Sequence, residues 1–180
     1  MILIISNCKN ILHELEFVAP IENIIKKENF DFKTINYREI NNKILGKTDK
    51  IIISGTSLLD FEYLDFLKKF EFIKDFKKPI LGICAGMQVL CLIYNGSLEK
   101  KKEIGLNDVS FEEEFLGIMG NIEVYELHNY SSCSDEFKVL GNKENYIQAI
   151  KHKNLPYYGV LFHPEVRNKE LISYFIKNDL

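Results

Sequence analysis

Paired cysteines are missing from this chain. Its four cysteines, Cys8, Cys84, Cys91 and Cys133, are scattered and form no C-x-x-C motif. That spacing excludes a zinc ribbon or a dithiol redox motif, so reduced thiols and no metal site are expected. Long hydrophobic runs are missing too. The apolar stretch Met1–Ile5 is far shorter than a signal peptide or a membrane span, and Asn7, Lys9 and Asn10 interrupt it. No membrane partner and a cytoplasmic location are therefore expected. Neither sign of charge dominates. A net charge of −3 leaves no electrostatic footprint for nucleic acid. The runs Lys100-Lys101-Lys102 and Glu112-Glu113-Glu114 are short and opposite in sign, as on a solvated surface. There is no P-loop, internal repeat, low-complexity tract or evident linker. What remains is 180 residues, 46% of them hydrophobic, enough for one domain with a proper core.

The apolar pattern reads as α/β. Buried strands are expected at Ile2–Ile5, Phe32–Ile35, Lys50–Ile53 and Ile80–Ile83. Helical spacing covers Ile21–Lys27, Phe61–Phe76, Met87–Tyr94 and Lys169–Lys177. Alternation of this kind predicts a mostly parallel central sheet with helices on both faces. Shorter, more polar strand candidates at Ile122–Tyr125, Lys138–Leu140 and Tyr146–Ile150 predict a smaller antiparallel extension. In such sheets, sites lie beyond the carboxyl ends of the strands.

The chemistry gathers at three such ends. The heptad Gly82-Ile83-Cys84-Ala85-Gly86-Met87-Gln88 follows the apolar run Pro79-Ile80-Leu81. Glycine two residues either side of Cys84 suits a crowded strand-to-helix turn that lifts a nucleophile above the sheet. The helix N-terminus behind Cys84 favours its thiolate and points free N–H groups at incoming negative charge. Taken alone, the heptad also fits a buried cysteine at a strand–helix junction. Far downstream, Tyr158–Phe162 reads as a strand running into His163-Pro164-Glu165. Residues two apart on an extended chain face the same way, and Pro164 disfavours helix at His163. His163 then takes the Cys84 proton and Glu165 orients the imidazole. By itself this segment also fits an exposed capping turn. The third end is Ile51-Ile52-Ile53-Ser54-Gly55-Thr56-Ser57. Attack on an amide carbon builds an oxyanion, and the backbone N–H groups of Gly55 and Ala85 are the candidate donors. Without Cys84 this would read as an ordinary loop.

Together these segments resemble the class I, triad-type glutamine amidotransferases over almost the full chain. The stretch Lys143–Lys153, running on to Pro156–Val160, is similar to the glutaminase part of GMP synthetase, and Glu103-Ile104-Gly105 and the loop at His128 fall in the expected order. The resemblance implies hydrolysis of L-glutamine through a γ-glutamyl thioester on Cys84. Ammonia then passes to a separate ATP-dependent synthetase subunit of the type that converts XMP to GMP. It implies no metal and no organic cofactor for this half-reaction. It also implies that Gln88, one helical turn past Cys84, helps bind glutamine, with Asn129 and Tyr130 beside His128 forming a further wall. Two other branches fit less well. One carries Met-Gly-Trp-Asn, and this chain has no tryptophan; the other carries Arg-Asn-x-Phe-Gly, also absent.

Several positions depart from the GMP-synthetase pattern. Met87 stands where histidine is common, Leu161 where glutamine is common, and Thr56-Ser57 replace Gly-Pro. Leu127-His128-Asn129-Tyr130 replaces a Ser-His-Gly-Asp type of loop. The altered loop predicts a Gly55 N–H turned away from the site until a partner docks. His13 and His152 read as surface residues. Two rival classes stay open: a free-standing hydrolase of γ-glutamyl compounds, and a non-catalytic regulatory protein that binds glutamine as a signal.

Overall fold

The computed structural model describes residues 1–144 and 146–180. Asn145, within the stretch similar to GMP synthetase, lies outside the described residues.

Isoleucine-rich runs form the centre. β1 (Ile2–Ser6), β3 (Lys50–Ile53) and β4 (Ile80–Ile83) are almost wholly buried. With β2 (Phe32–Asn36) and β9 (Tyr157–Val160) they form a parallel sheet in the order β2-β1-β3-β4-β9. Branched side chains suit a strand covered on both faces. Successive residues then feed opposite cores. Ile2, Ile4, Ile52 and Leu81 pack on one side, where α2 (Ala19–Lys27) and α6 (Lys169–Lys177) contribute Ile21 and Phe175. Leu3, Ile5, Ile51 and Ile80 pack on the other, against Leu90 of α5 (Ala85–Ile93) and Tyr63.

The sheet continues beyond β9 as an antiparallel half, β9-β8-β7-β5-β6, all within one sheet. β8 is Tyr146–His152 and β7 is Phe137–Lys143. β5 (Ser97–Phe115) and β6 (Ile118–Cys133) make a hairpin of 19- and 16-residue strands. This half is far larger than the short polar candidates suggest. Both charge runs lie on β5, where alternating exposed and half-buried positions dilute the apolar signal.

Four further readings are corrected. The helix expected over Phe61–Phe76 is a kinked 3-10 segment, Glu62–Phe70, followed by one turn, Ile73–Phe76. Phe66 leaves helical geometry there, at φ −110° and ψ 19°, and its ring packs on Tyr37 at 5.4 Å. Helix α1 (Ile11–Phe17) is additional, capped by the Asn10 side chain on the Leu12 N–H. Its Ile11, Leu12 and Leu15 are exposed, so it lacks the periodic buried stripe that reveals a helix. His152 is not at the surface. It is buried, meets Tyr94 edge-on and accepts the N–H groups of Asn154 and Leu155, with burial pushing its pKa down. The strand before His163 also stops early, at Val160.

Because β3, β4 and β9 are parallel and in register, their carboxyl ends share one edge. No helix among the described residues is long and apolar enough to cross a membrane.

Candidate active site

Cys84 occupies the turn between β4 and α5 with φ 50° and ψ −105°. A side-chain-bearing residue reaches such a conformation only when its surroundings impose it. Here they do. The Cys84 N–H is held by the Val160 carbonyl at 2.7 Å, and its carbonyl accepts the Gln88 N–H at 3.1 Å. The flanking glycines are demanded by close approach. A Cβ on Gly86 would lie 2.2 Å from the Ile53 carbonyl oxygen, and one on Gly82 would lie 2.5 Å from the Gly86 carbonyl carbon. The crowded turn read from the heptad is present. The Cys84 thiol reaches the Leu127 carbonyl at 3.6 Å and is only 4% exposed.

His163 arrives from β9 by a different backbone route than expected. The segment is not extended. Val166 donates its N–H to the His163 carbonyl at 3.2 Å, closing a turn with Pro164 as its second residue. Proline's fixed φ suits that place. The turn folds Glu165 back on His163, and Nδ1 meets Oε1 at 2.6 Å, both side chains buried. The His163 N–H is pinned to the Tyr125 carbonyl at 2.8 Å, and Phe17 packs against the ring. With Nδ1–H donated to the carboxylate, Nε2 is the free nitrogen, buried without a hydrogen-bond partner. Burial disfavours the imidazolium, but the Glu165 carboxylate and the Cys84 thiol outweigh it and hold its pKa well above the ordinary value.

Gly55 lies against both groups. A Cβ there would meet His163 Cε1 at 2.7 Å and Cys84 Cβ at 3.4 Å. The preceding peptide is trans, and its Ser54 carbonyl accepts the Asn7 side-chain N–H at 2.9 Å on the β1 side. The Gly55 N–H must therefore point the other way, toward the β4 side where Cys84 lies. The expectation of an N–H turned away from the site is thus corrected. Neither the Gly55 nor the Ala85 N–H donates a hydrogen bond among the described residues.

A narrow cleft with a cavity volume of about 20 Å³ opens beside Cys84 and Ala85. One wall is the loop from Thr56 to Phe61, the other Leu127 to Tyr130 of β6. The Asn129 side chain joins them by donating to the Leu58 carbonyl at 2.7 Å, and Tyr130 meets Phe61 edge-on. Gln88 forms part of the lining with its amide fixed at both ends. It accepts from Tyr63 Oη and donates to the Tyr130 carbonyl at 2.9 Å. His128 donates Nδ1–H to the Lys101 carbonyl and leaves Nε2 without a partner. Burial pushes its pKa down to about 4, so it is neutral near pH 7. Glu126 lies 3.9 Å away, and burial raises its carboxyl above the usual range.

Three neighbours escaped sequence reasoning. Tyr63 orients Gln88, and Asp60 takes the Lys9 N–H and the Thr56 hydroxyl, tying the pocket loop to the end of β1. Asn7 stands at that same strand end, so the rule that located Cys84 and Ser54 also points to it. Tyr63 and Asp60 carry no comparable local signal.

The family model for glutamine amidotransferase class-I matches residues 8–180. A glutamine-hydrolyzing GMP synthase subunit of Ignicoccus hospitalis is 35% identical over 141 residues, covering 74% of this chain and 75% of that protein. The like-named protein of Pyrococcus abyssi is 33% identical, covering 77% and 84%. Among solved structures, a candidate GMP synthase subunit from Thermoplasma acidophilum superposes with a TM-score of 0.83 at 26% identity, over 97% of this chain and 93% of the other. A glutamine amidotransferase from Thermotoga maritima, at 19% identity and a TM-score of 0.71, shares the fold over 98% and 81%.

Proposed function

The chain belongs to the class-I glutamine amidotransferase family, and on that footing we propose that it is the glutaminase component of a two-subunit synthetase with Cys84, His163 and Glu165 as its catalytic groups. The carrying observation is the His163–Glu165 pair, with its free Nε2 beside the strained Cys84 turn. In this reading the thiol proton passes to His163 Nε2, and the thiolate attacks the side-chain amide carbon of L-glutamine. The oxyanion takes hydrogen bonds from the Gly55 and Ala85 N–H groups. As the tetrahedral intermediate collapses, His163 gives its proton to the leaving nitrogen, and ammonia departs. A γ-glutamyl thioester remains on Cys84. Water, losing a proton to His163, attacks that thioester, and glutamate leaves as the thiol reforms.

Glu165 acts through the imidazole: its carboxylate holds the His163 pKa above the ordinary value, so the ring takes the thiol proton more readily. Gln88, Asn129 and Tyr130 would hold the amino-acid end of glutamine. In this reading the acceptor of the ammonia is XMP on a separate ATP-dependent subunit; the relatives, named as subunits of a GMP synthase, support a synthetase of that kind.

The rim formed by Thr56–Leu59 and Asn129–Tyr130 is where such a partner would take up ammonia. The Asn129–Leu58 bond joins the two walls, and Cys84 is almost covered. Glutamine hydrolysis should therefore rise at least about tenfold, roughly 1.4 kcal/mol of barrier, when the cognate synthetase and its nucleotide substrates are added. Ammonia release from glutamine, with and without that synthetase, tests this. Full speed in isolation, indifferent to any synthetase, would instead make the chain a free-standing hydrolase. No release under either condition would leave the glutamine-sensing regulatory protein.

A further inference from the structure

We propose that Asn7 is a positioning residue for the oxyanion site, holding two successive peptides of the Ser54–Thr56 loop with their N–H groups toward Cys84; this rests on the glutaminase reading above.

In a strand, successive carbonyls alternate sides. The Ser54 N–H bonds to the Ile5 carbonyl on the β1 side at 3.0 Å, as a strand continuing β3 would. Its own carbonyl accepts from Asn7 Nδ2 at 2.9 Å, on that same side. The next carbonyl, of Gly55, should then face β4. Instead it accepts the Ser54 hydroxyl at 2.8 Å, and the Cys8 thiol lies 3.9 Å from it. The Ser54 hydroxyl is itself steadied by the Asn7 backbone N–H at 3.1 Å. Asn7 thus grips the loop twice, directly through Nδ2 and through a relay from its backbone N–H by way of Ser54.

Both peptides are trans. With both carbonyls drawn toward β1, the N–H groups of Gly55 and Thr56 point away from it, toward the side holding Cys84 and His163. Two adjacent N–H groups turned to one side form a small anion cradle. Asn7, Ser54 and Cys8 are all buried, so water does not compete for these bonds. The amide orientation is fixed by its partner, since the Ser54 carbonyl only accepts. Asn7 Oδ1 is left buried and unpaired.

The test separates oxyanion chemistry from the nucleophile. Glutamine hydrolysis needs the cradle; alkylation of Cys84 by iodoacetamide builds no oxyanion. Asn7→Asp keeps the volume and removes the donor, and Ser54→Ala removes the relay. Each is assayed with the synthetase present, beside the unaltered protein. We expect kcat for glutamine hydrolysis to fall about 10- to 100-fold in Asn7→Asp, with KM changed less than about threefold and the Cys84 alkylation rate within about twofold. Ser54→Ala should fall less, in the same pattern. Unchanged kcat in Asn7→Asp would overturn the proposal. So would an equal loss of hydrolysis and alkylation, or variants too unstable to purify folded, because Asn7 would then be structural. If the unaltered protein releases no ammonia from glutamine, the glutaminase reading itself has failed.

Discussion

At the scale of single residues, the triad makes a prediction about pH with a definite sign. Glu165 raises the His163 pKa well above its ordinary value. The imidazolium that forms as Cys84 gives up its proton is lost only as pH rises through that higher value. The alkaline limb of kcat/KM should lie above the usual imidazole range. Neutralising the partner in Glu165→Gln should move that limb toward lower pH and slow the reaction. His163→Ala should cost more, about 10²- to 10⁴-fold in kcat, since the partner acts only through the ring. Glutamine KM should change little in either variant. Steady-state kinetics across pH would check this. A Glu165→Gln enzyme as slow as His163→Ala would mean the carboxylate mainly fixes the turn at Pro164.

At the scale of elements, the elbow is held by backbone contact rather than by side-chain packing. A methyl at position 86 would drive into the Ile53 carbonyl at 2.2 Å, and neither backbone can yield cheaply. Gly86→Ala is therefore expected to cost at least about 1–3 kcal/mol of unfolding free energy and to misplace Cys84. Denaturant unfolding alongside the ammonia assay would read both effects. A fully stable, fully active Gly86→Ala would contradict the packing described. These elements were legible in sequence for identifiable reasons. The strands Ile2–Ile5 and Ile80–Ile83 are continuous apolar runs, and the Cys84 turn carries its glycines at the required positions. The kink at Phe66 was not legible, because Tyr63, Phe66 and Phe70 satisfy a helical pattern, and the packing of Phe66 on Tyr37 joins segments distant in sequence. The β5–β6 hairpin was hidden because polar residues alternate along strands that are half solvated. The meeting of His163 and Glu165 was foreseen, but through an extended chain instead of the turn that achieves it. Asn7 is marked only by its place at the end of β1, and Tyr63 acts through Gln88, a partner distant in sequence that no local pattern marks.

At the scale of the whole molecule, stability should depend on pH through His128. Its folded pKa, about 4, lies below the ordinary value of 6.5. Between these values the unfolded chain binds the proton and the folded chain does not. Stability is therefore unaffected by this group above pH 6.5 and falls as pH drops toward 4, by about 3 kcal/mol at the foot of that window. Glu126, raised by burial, works in the opposite direction in the same range, so the comparison is with His128→Asn. Unfolding curves should show a weaker acid loss in that variant; identical pH profiles would contradict the assignment. His163 affects a separate window, contributing stability below its unfolded pKa that is lost as pH rises through its raised folded pKa. The most direct test of the account as a whole is the target of an electrophilic glutamine analogue. Cys8 and Cys91 are buried, with thiols pushed up to about 11 and about 12, whereas Cys133 is exposed and outside the pocket. Peptide mass mapping after limited reaction should find the label on Cys84, blocked by L-glutamine, with Cys8, Cys91 and Cys133 spared. Label spread over the four cysteines, or concentrated on Cys133, would contradict it.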